Sequence, residues 1–389
     1  MMLGWAKKIF GISAAPPASP APTQAFPANT AMAQRIAAAN LTPKTVWSLI
    51  ERGDLKGLQE LIAKDPAQLN ATTKTAIRKR INLKMKPVHY AAYLGQEAAL
   101  VLLHQNGADI NEKAQDDYTC LHLAGRSKAG GVAAAYLLEK STIDVNALSA
   151  HGTTALMEAA RSGNQTAVRE MLEKNAKTDL VTPQSPAAIG LAARNGHFGI
   201  VKLLAENGAN INAPDSLLRR PLWQATLERR EDIADYLLEK GAATDGSDLQ
   251  GVTLLMVAAQ RGNAKLLATL LAAGHDPNDR DNNGNTALHY ACYDETADNA
   301  RQVAELLIGH GAWIDAKNKM GEDPLGYARS KGRTTRTLIA CLEAAQDDPA
   351  AVRTPSINDV FSAGAKREVK VMKTLTLRAP ETPAAKLAR

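Results

Sequence analysis

A layout about 33 residues long recurs through this chain, and any fold must accommodate it. Aligned on one position, the copies begin at Lys86, Thr119, Thr154, Ala187, Arg220, Thr253, Thr286 and Asp323, at spacings of 33, 35, 33, 33, 33, 33 and 37. Each copy has a turn-like start, an apolar segment, a polar break, a second apolar segment with a Leu-Leu pair, and a Gly-Ala step. In the copy at 286 these are Thr286-Ala287-Leu288-His289, Leu306-Leu307 and Gly311-Ala312. One such helix pair cannot bury its own apolar face, so neighbouring copies must stack to do it. A length of 389 residues would otherwise suggest two or three domains; with this period it fits one stack that grows by addition.

The period, the TPLHxAA-type start, the Leu pair and the GA(D/N)xN ending resemble the ankyrin repeat, over roughly residues 43–345. The resemblance implies an all-α solenoid of helix-turn-helix units joined by β-hairpin or loop fingers. It is read here as one to a bacterial ankyrin repeat-containing protein. Residues 43–66 read as a degenerate capping helix pair, with Val46, Leu49 and Ile50 on one face and Leu55, Leu58, Leu61 and Ile62 on the next. Residues 70–85 are a basic insert in which Ile77, Ile81 and Met85 recur every four residues. It is either a contact for an anionic partner or a solvated spacer helix.

Each recurring residue type has a physical task. A Thr at the start can cap the first helix and bond the following His, and Pro suits the first turn because its missing N–H had no partner there. His89, His122 and His289 are expected to hydrogen-bond between units rather than bind metal, since no second ligand lies at suitable spacing. Ala pairs such as 91–92, 159–160, 192–193 and 258–259 let helices approach closely, and Leu pairs such as 102–103, 137–138, 203–204 and 237–238 fill the layer between units. Gly107, Gly208, Gly241, Gly274 and Gly311 are expected to end the second helix in the left-handed region. Asp117, Ser185 and Leu218 replace the usual Gly two residues before the aligned position, so those fingers should have altered tips.

The ends differ from the repeats. Residues 1–42 form an Ala/Pro-rich tail. Within it, residues 1–12 could contact a membrane surface, start a signal peptide, or carry no structure. Residues 346–389 lose the period and form a basic tail. Its stretch 356–378 could dock on a partner as a strand or short helix, or stay disordered. The overall charge is +6, but residues 1–44, 73–86 and 346–389 carry +4, +6 and +3, which leaves the remaining repeats near −7. That distribution argues against a nucleic-acid-binding solenoid. Cys120, Cys292 and Cys341 have no metal-type spacing and read as buried thiols in a reducing, cytoplasmic compartment.

No GxGxxG, GxxxxGK, HExxH or GxSxG motif occurs, so no catalytic residue, cofactor or metal is assigned, and a small-molecule substrate is not expected. An enzyme acting through residues 70–85 or 356–378 ranks last, because neither stretch carries a nucleophile–base pair. The position after the Ala pair reads Tyr93, Arg126, Arg161, Arg194, Leu227, Gln260, Tyr293 and Ser330 through the stack. With Tyr90, Trp223 and Tyr290 beside it, this run makes a candidate partner surface on the concave face, because Arg and aromatic side chains tend to anchor interfaces. The alternative is that the arginines pair with acids of neighbouring units. The chain is therefore read as a non-catalytic, monomeric scaffold for a protein partner, which an arginine run would favour as acidic. A second reading is a translocated bacterial effector or membrane-tethered regulator directed by its tails.

Overall fold

The computed structural model describes residues 45–72, 84–293, 299–331 and 336–347, with side chains at all of these but Lys331, Arg336 and Thr337. The N-terminal tail, most of the basic insert and nearly all of the C-terminal tail lie outside the described residues. A helix pair, α1 (Val46–Arg52) and α2 (Leu55–Lys64), opens the described chain, and a 3-10 turn at Pro66–Asn70 follows. Eight further pairs succeed it: α3 (Pro87–Leu94) with α4 (Glu97–Gln105), α5 (Cys120–Arg126) with α6 (Gly131–Leu138), α7 (Ala155–Ser162) with α8 (Gln165–Glu173), and α9 (Ala188–Asn195) with α10 (Phe198–Glu206). Then come α11 (Pro221–Leu227) with α12 (Glu231–Glu239), α13 (Leu254–Arg261) with α14 (Ala264–Ala272), α15 (Ala287–Ala291) with α16 (Ala300–Gly309), and α17 (Pro324–Lys331) with α18 (Arg336–Asp347).

The first helix of every pair packs on the first helix of the next, from α1 through α17. Second helices pack on one another from α2 to α12 and from α14 to α18. The result is two helical layers with the core between them. Small residues bring the first helices together: Ala91, Ala92, Ala159, Ala160, Ala192, Ala193, Ala258 and Ala259 are all buried. The approach is closest at α5 and α7, where a Cβ on Gly125 would lie 2.6 Å from the Ala155 carbonyl oxygen, so only glycine fits there. The Leu pairs divide in two of the four cases. Leu103 and Leu204 are fully enclosed while Leu102 and Leu203 are half-buried. Consecutive helical residues point about 100° apart, so both members cannot face one layer equally.

Side chains close the units as their types suggest. The Thr119, Thr154 and Thr253 hydroxyls accept the backbone N–H three residues on, at 3.2–3.3 Å. Pro87 and Pro221 occupy the first turns of α3 and α11. His122 Nδ1 faces the Thr119 N–H at 3.3 Å and so accepts, which leaves Nε2 to donate to the Thr153 carbonyl at 2.8 Å in the next unit's finger. His89 and His289 reach the Glu112 and Glu322 carbonyls in the same way, at 2.8 and 3.1 Å. Asn146, Asp179, Asn212 and Asn278 each accept, through Oδ1, a backbone N–H of the following unit at 2.8 Å. This explains the polar residue that ends these four copies.

The fingers are hydrogen-bonded turns rather than β-hairpins. Among the described residues there are only two isolated bridges, Thr182–Ser185 and Ser247–Thr253. One carboxylate or amide oxygen inside the finger takes the N–H groups that a ladder would use. Asp281 Oδ1, for example, accepts from the N–H groups of Asn283 and Asn285 at 2.8 and 2.7 Å. Backbone bonds then run from finger to finger: Leu249 N–H to Leu217 O, Asn282 to Gln250, and Lys319 to Asn283. In the finger before Ala187 the donating position is Pro183, which has no N–H. There the Thr182 hydroxyl bonds the Gly152 carbonyl at 3.0 Å instead.

Candidate interaction surface

The residue after each Ala pair falls in the last turn of its helix or just beyond it, at the edge of the core. Along this row Tyr93 and Arg194 are half-buried, while Arg126, Arg161 and Tyr293 are exposed. The arginines are interleaved with acids and an aromatic ring. Arg126 lies over the Tyr118 ring, 5.6 Å from its centroid. The Tyr118 hydroxyl donates to Glu158 Oε1 at 3.3 Å, and Arg161 Nη1 donates to the same oxygen at 3.3 Å. Glu158 is 1% exposed, so this carboxylate ties Tyr118 and Arg161 together from beneath. Arg194 Nε stands 3.8 Å from Glu228 of the next unit.

The other predicted residues are placed differently. Tyr90 is buried; its hydroxyl donates to Glu51 of the capping pair, and its ring meets Trp47 edge-on at 5.6 Å. Its side chain therefore joins the cap to the first repeat and has little surface to offer a partner. Tyr290 is half-buried and donates to Asp281 Oδ2 at 2.9 Å, which fastens α15 to its own finger. Trp223 stands apart from the arginine row, half-buried, with the Arg219 guanidinium 5.3 Å from its ring centroid.

Glu158 and Glu228 were not singled out from the sequence. A signal was present for Glu158. It stands between the His position and the Ala pair, where other units carry Tyr90, Gln224, Tyr290 and Tyr327. A polar or aromatic residue at that one site on an apolar helix marks a side chain that reaches out of the apolar layer to a polar partner. Gln224 does so, donating to Asp215 Oδ2 at 3.0 Å.

Burial pushes the Tyr118 hydroxyl above its ordinary range, and the Glu158 charge adds to this. Burial likewise raises Tyr290, with Asp281 next in effect, and Tyr327 is raised to about 12. These phenols stay protonated and act as donors. His89, His122 and His289 are lowered by burial and stay neutral. Cys120, Cys292 and Cys341 are raised by burial, Cys292 to about 12, which suppresses the thiolate a nucleophile needs. Among the described residues, no group of three or more His, Cys, Asp or Glu side chains could hold a metal ion.

A family model described as ankyrin repeats matches residues 88–182, 177–248 and 255–348, and the chain belongs to this family. It is 31% identical over 197 residues to a transient receptor potential cation channel subfamily A member 1 homolog of Caenorhabditis elegans, covering 50% of this chain and 16% of that protein. It is 35% identical over 136 residues to an ankyrin repeat-containing protein of Treponema pallidum, covering 35% of this chain and 44% of that protein. The chain thus spans less than half the length of either relative. The human ASB11 ankyrin repeat domain overlays it with a TM-score of 0.46 at 25% identity, covering 67% of this chain and 97% of that domain. Ankyrin repeats are generally protein–protein interaction modules, and the all-α repeat fold expected from the sequence agrees with this membership.

Proposed function

We propose that this chain is a non-catalytic scaffold that binds a protein partner along the row of Arg126, Arg161 and Arg194 and the adjoining fingers. The observation that carries the reading is the exposure of Arg126 and Arg161 on successive units, each steadied from below rather than neutralised by an exposed acid. Arginines held in place by a ring and a buried carboxylate lose little freedom on binding, so an acidic segment laid across them gains charge-assisted bonds at low entropic cost. Arg194 shares Glu228 with the next unit and would contribute less. A monomer in a reducing, cytoplasmic setting fits three buried cysteines outside any disulfide. A bacterial origin draws support from the Treponema relative. The test is affinity capture from the native cell with the parent chain and with Arg126→Ala/Arg161→Ala/Arg194→Ala. Loss of the captured partner in the triple variant is expected, and undiminished capture removes the row from the account.

A further inference from the structure

The unit that begins at Arg220 departs from its neighbours at three positions that lie together. A cleft of about 280 Å³ opens between its finger and the next, lined among others by Pro214, Leu218, Arg220, Trp223, Asp245 and Leu254. Leu218 holds φ +65° and is 51% exposed. The equivalent residues Gly152, Gly251, Gly284 and Gly321 hold the same left-handed backbone without a side chain. A leucine is strained there, and strain kept at a mouth of exposed apolar surface marks a site of use more readily than a packing need. Trp223 occupies the His position, yet its indole N–H is enclosed with no acceptor among the described residues. An enclosed donor left unpaired is destabilising. Arg220 occupies the Thr position and caps no N–H with its side chain. It reaches instead to Asp245, at 2.5 Å to the carbonyl oxygen and 3.1 Å to Oδ1, a carboxylate 78% exposed.

These features ask for one kind of occupant. The apolar mouth formed by Pro214, Leu218 and Leu254 suits an aliphatic side chain. The outer N–H groups of Arg220, which lines the cleft, are donors and call for an acceptor. The Arg220–Asp245 pair is exposed and weak, so a carboxylate from outside can replace Asp245. We propose that this cleft anchors an extended peptide segment of a partner protein by an apolar side chain followed by an acidic one. This rests on the chain being a partner-binding scaffold and locates a second point of attachment, distinct from the arginine row.

The test uses the full chain, labelled with nitrogen-15, and the indole cross-peak of Trp223, assigned by its loss in Trp223→Phe. The probe is the blocked peptide acetyl-Gly-Leu-Glu-Gly-amide, compared with the peptides in which Gln replaces Glu or Ala replaces Leu. A saturable shift of the Trp223 peak is expected with the first peptide, with affinity at least fivefold weaker for either control. Arg220→Gln should weaken the first peptide as much as the Gln control does. Leu218→Gly, which restores the residue type of the other units, should weaken binding at least threefold while the melting temperature stays level or rises. That split excludes simple unfolding. No saturable shift, equal binding of the Gln or Ala peptide, or undiminished affinity in either variant overturns the proposal. The triple arginine variant should titrate like the parent. A failed titration with the row intact sinks the cleft alone, and unchanged partner capture by the triple variant with a working titration sinks the row alone.

Discussion

The units beginning at Thr253 and Arg220 have the same backbone course and hold it by different means. In the former, the Thr253 hydroxyl caps the helix, Gly251 and Gly262 supply the two left-handed residues at φ +76° and +68°, and Ala258-Ala259 line the helix contact. In the latter those positions hold Arg220, whose side chain caps no N–H, Leu218, Arg229 and Ala225-Thr226. Leu218 and Arg229 are held left-handed at φ +65° and +54°, and the Thr226 hydroxyl bonds back to the Leu222 carbonyl at 2.8 Å. The irregular unit compensates with a polar knot. Asp215 accepts from the N–H groups of Leu217 and Arg219 at 2.9 Å, pairs with Arg219 at 2.7 Å and takes the Gln224 amide at 3.0 Å. A repeat can therefore keep its shape by local backbone preference, or by side chains that force the backbone. Only the second route leaves unusual side chains at the surface.

Removing the knot should give the largest effect. Asp215→Ala removes the carboxylate that Arg219, itself 11% exposed, meets at 2.7 Å, and should destabilise the chain by about 3–5 kcal/mol in urea unfolding. Asp248→Ala, the same change in the regular unit, removes two backbone contacts and should cost about 1–2 kcal/mol. Equal losses would erase the distinction between the units. Exchanging caps should act next. Thr253→Ala is expected to lower stability by about 1 kcal/mol, and Arg220→Thr to raise it by up to about 1 kcal/mol by giving α11 the missing cap. Glycine exchange sharpens the contrast further. Gly251→Ala should destabilise by about 1 kcal/mol, whereas Arg229→Gly should be neutral or stabilising by less than about 1 kcal/mol, as read by thermal melts.

The smallest effect is expected from pH. His89, His122 and His289 are held below the ordinary 6.5 by burial. Unfolded histidines bind protons near 6.5 while the folded ones do not, so stability is full above about 6.5 and falls as pH drops toward the folded values. Urea midpoints between pH 7 and pH 5 should show this slope, and His122→Asn should flatten it. An unchanged slope in that variant would mean that other groups carry the acid sensitivity.

Much of the fold was legible because its determinants are local and repeat in phase. Thr119 capping α5, His122 reaching the next finger and Gly311 ending α16 at φ +84° each follow from residue type and spacing. The finger bonds were less legible, since a side-chain oxygen such as Asp281 Oδ1 replaces a strand ladder without changing the pattern of apolar residues. The candidate surface was legible only in part. Arg126, Arg161 and Arg194 were visible as a run. Their partners Tyr118, Glu158 and Glu228 were not, because they come from the finger before the helix, the same helix face and the next unit.

The sequence by itself determined the helix pairs, their number and the layer between them, since a 33-residue period of small and leucine positions admits only stacking. Tertiary structure decided that Tyr90 is enclosed while Arg126 is open, that Glu158 lies beneath Arg161, and that Leu218, Arg220 and Trp223 share one cleft. Those outcomes depend on which neighbour each unit meets across the stack, and residues some 30 positions apart exchange hydrogen bonds and cover one another only after the units have packed.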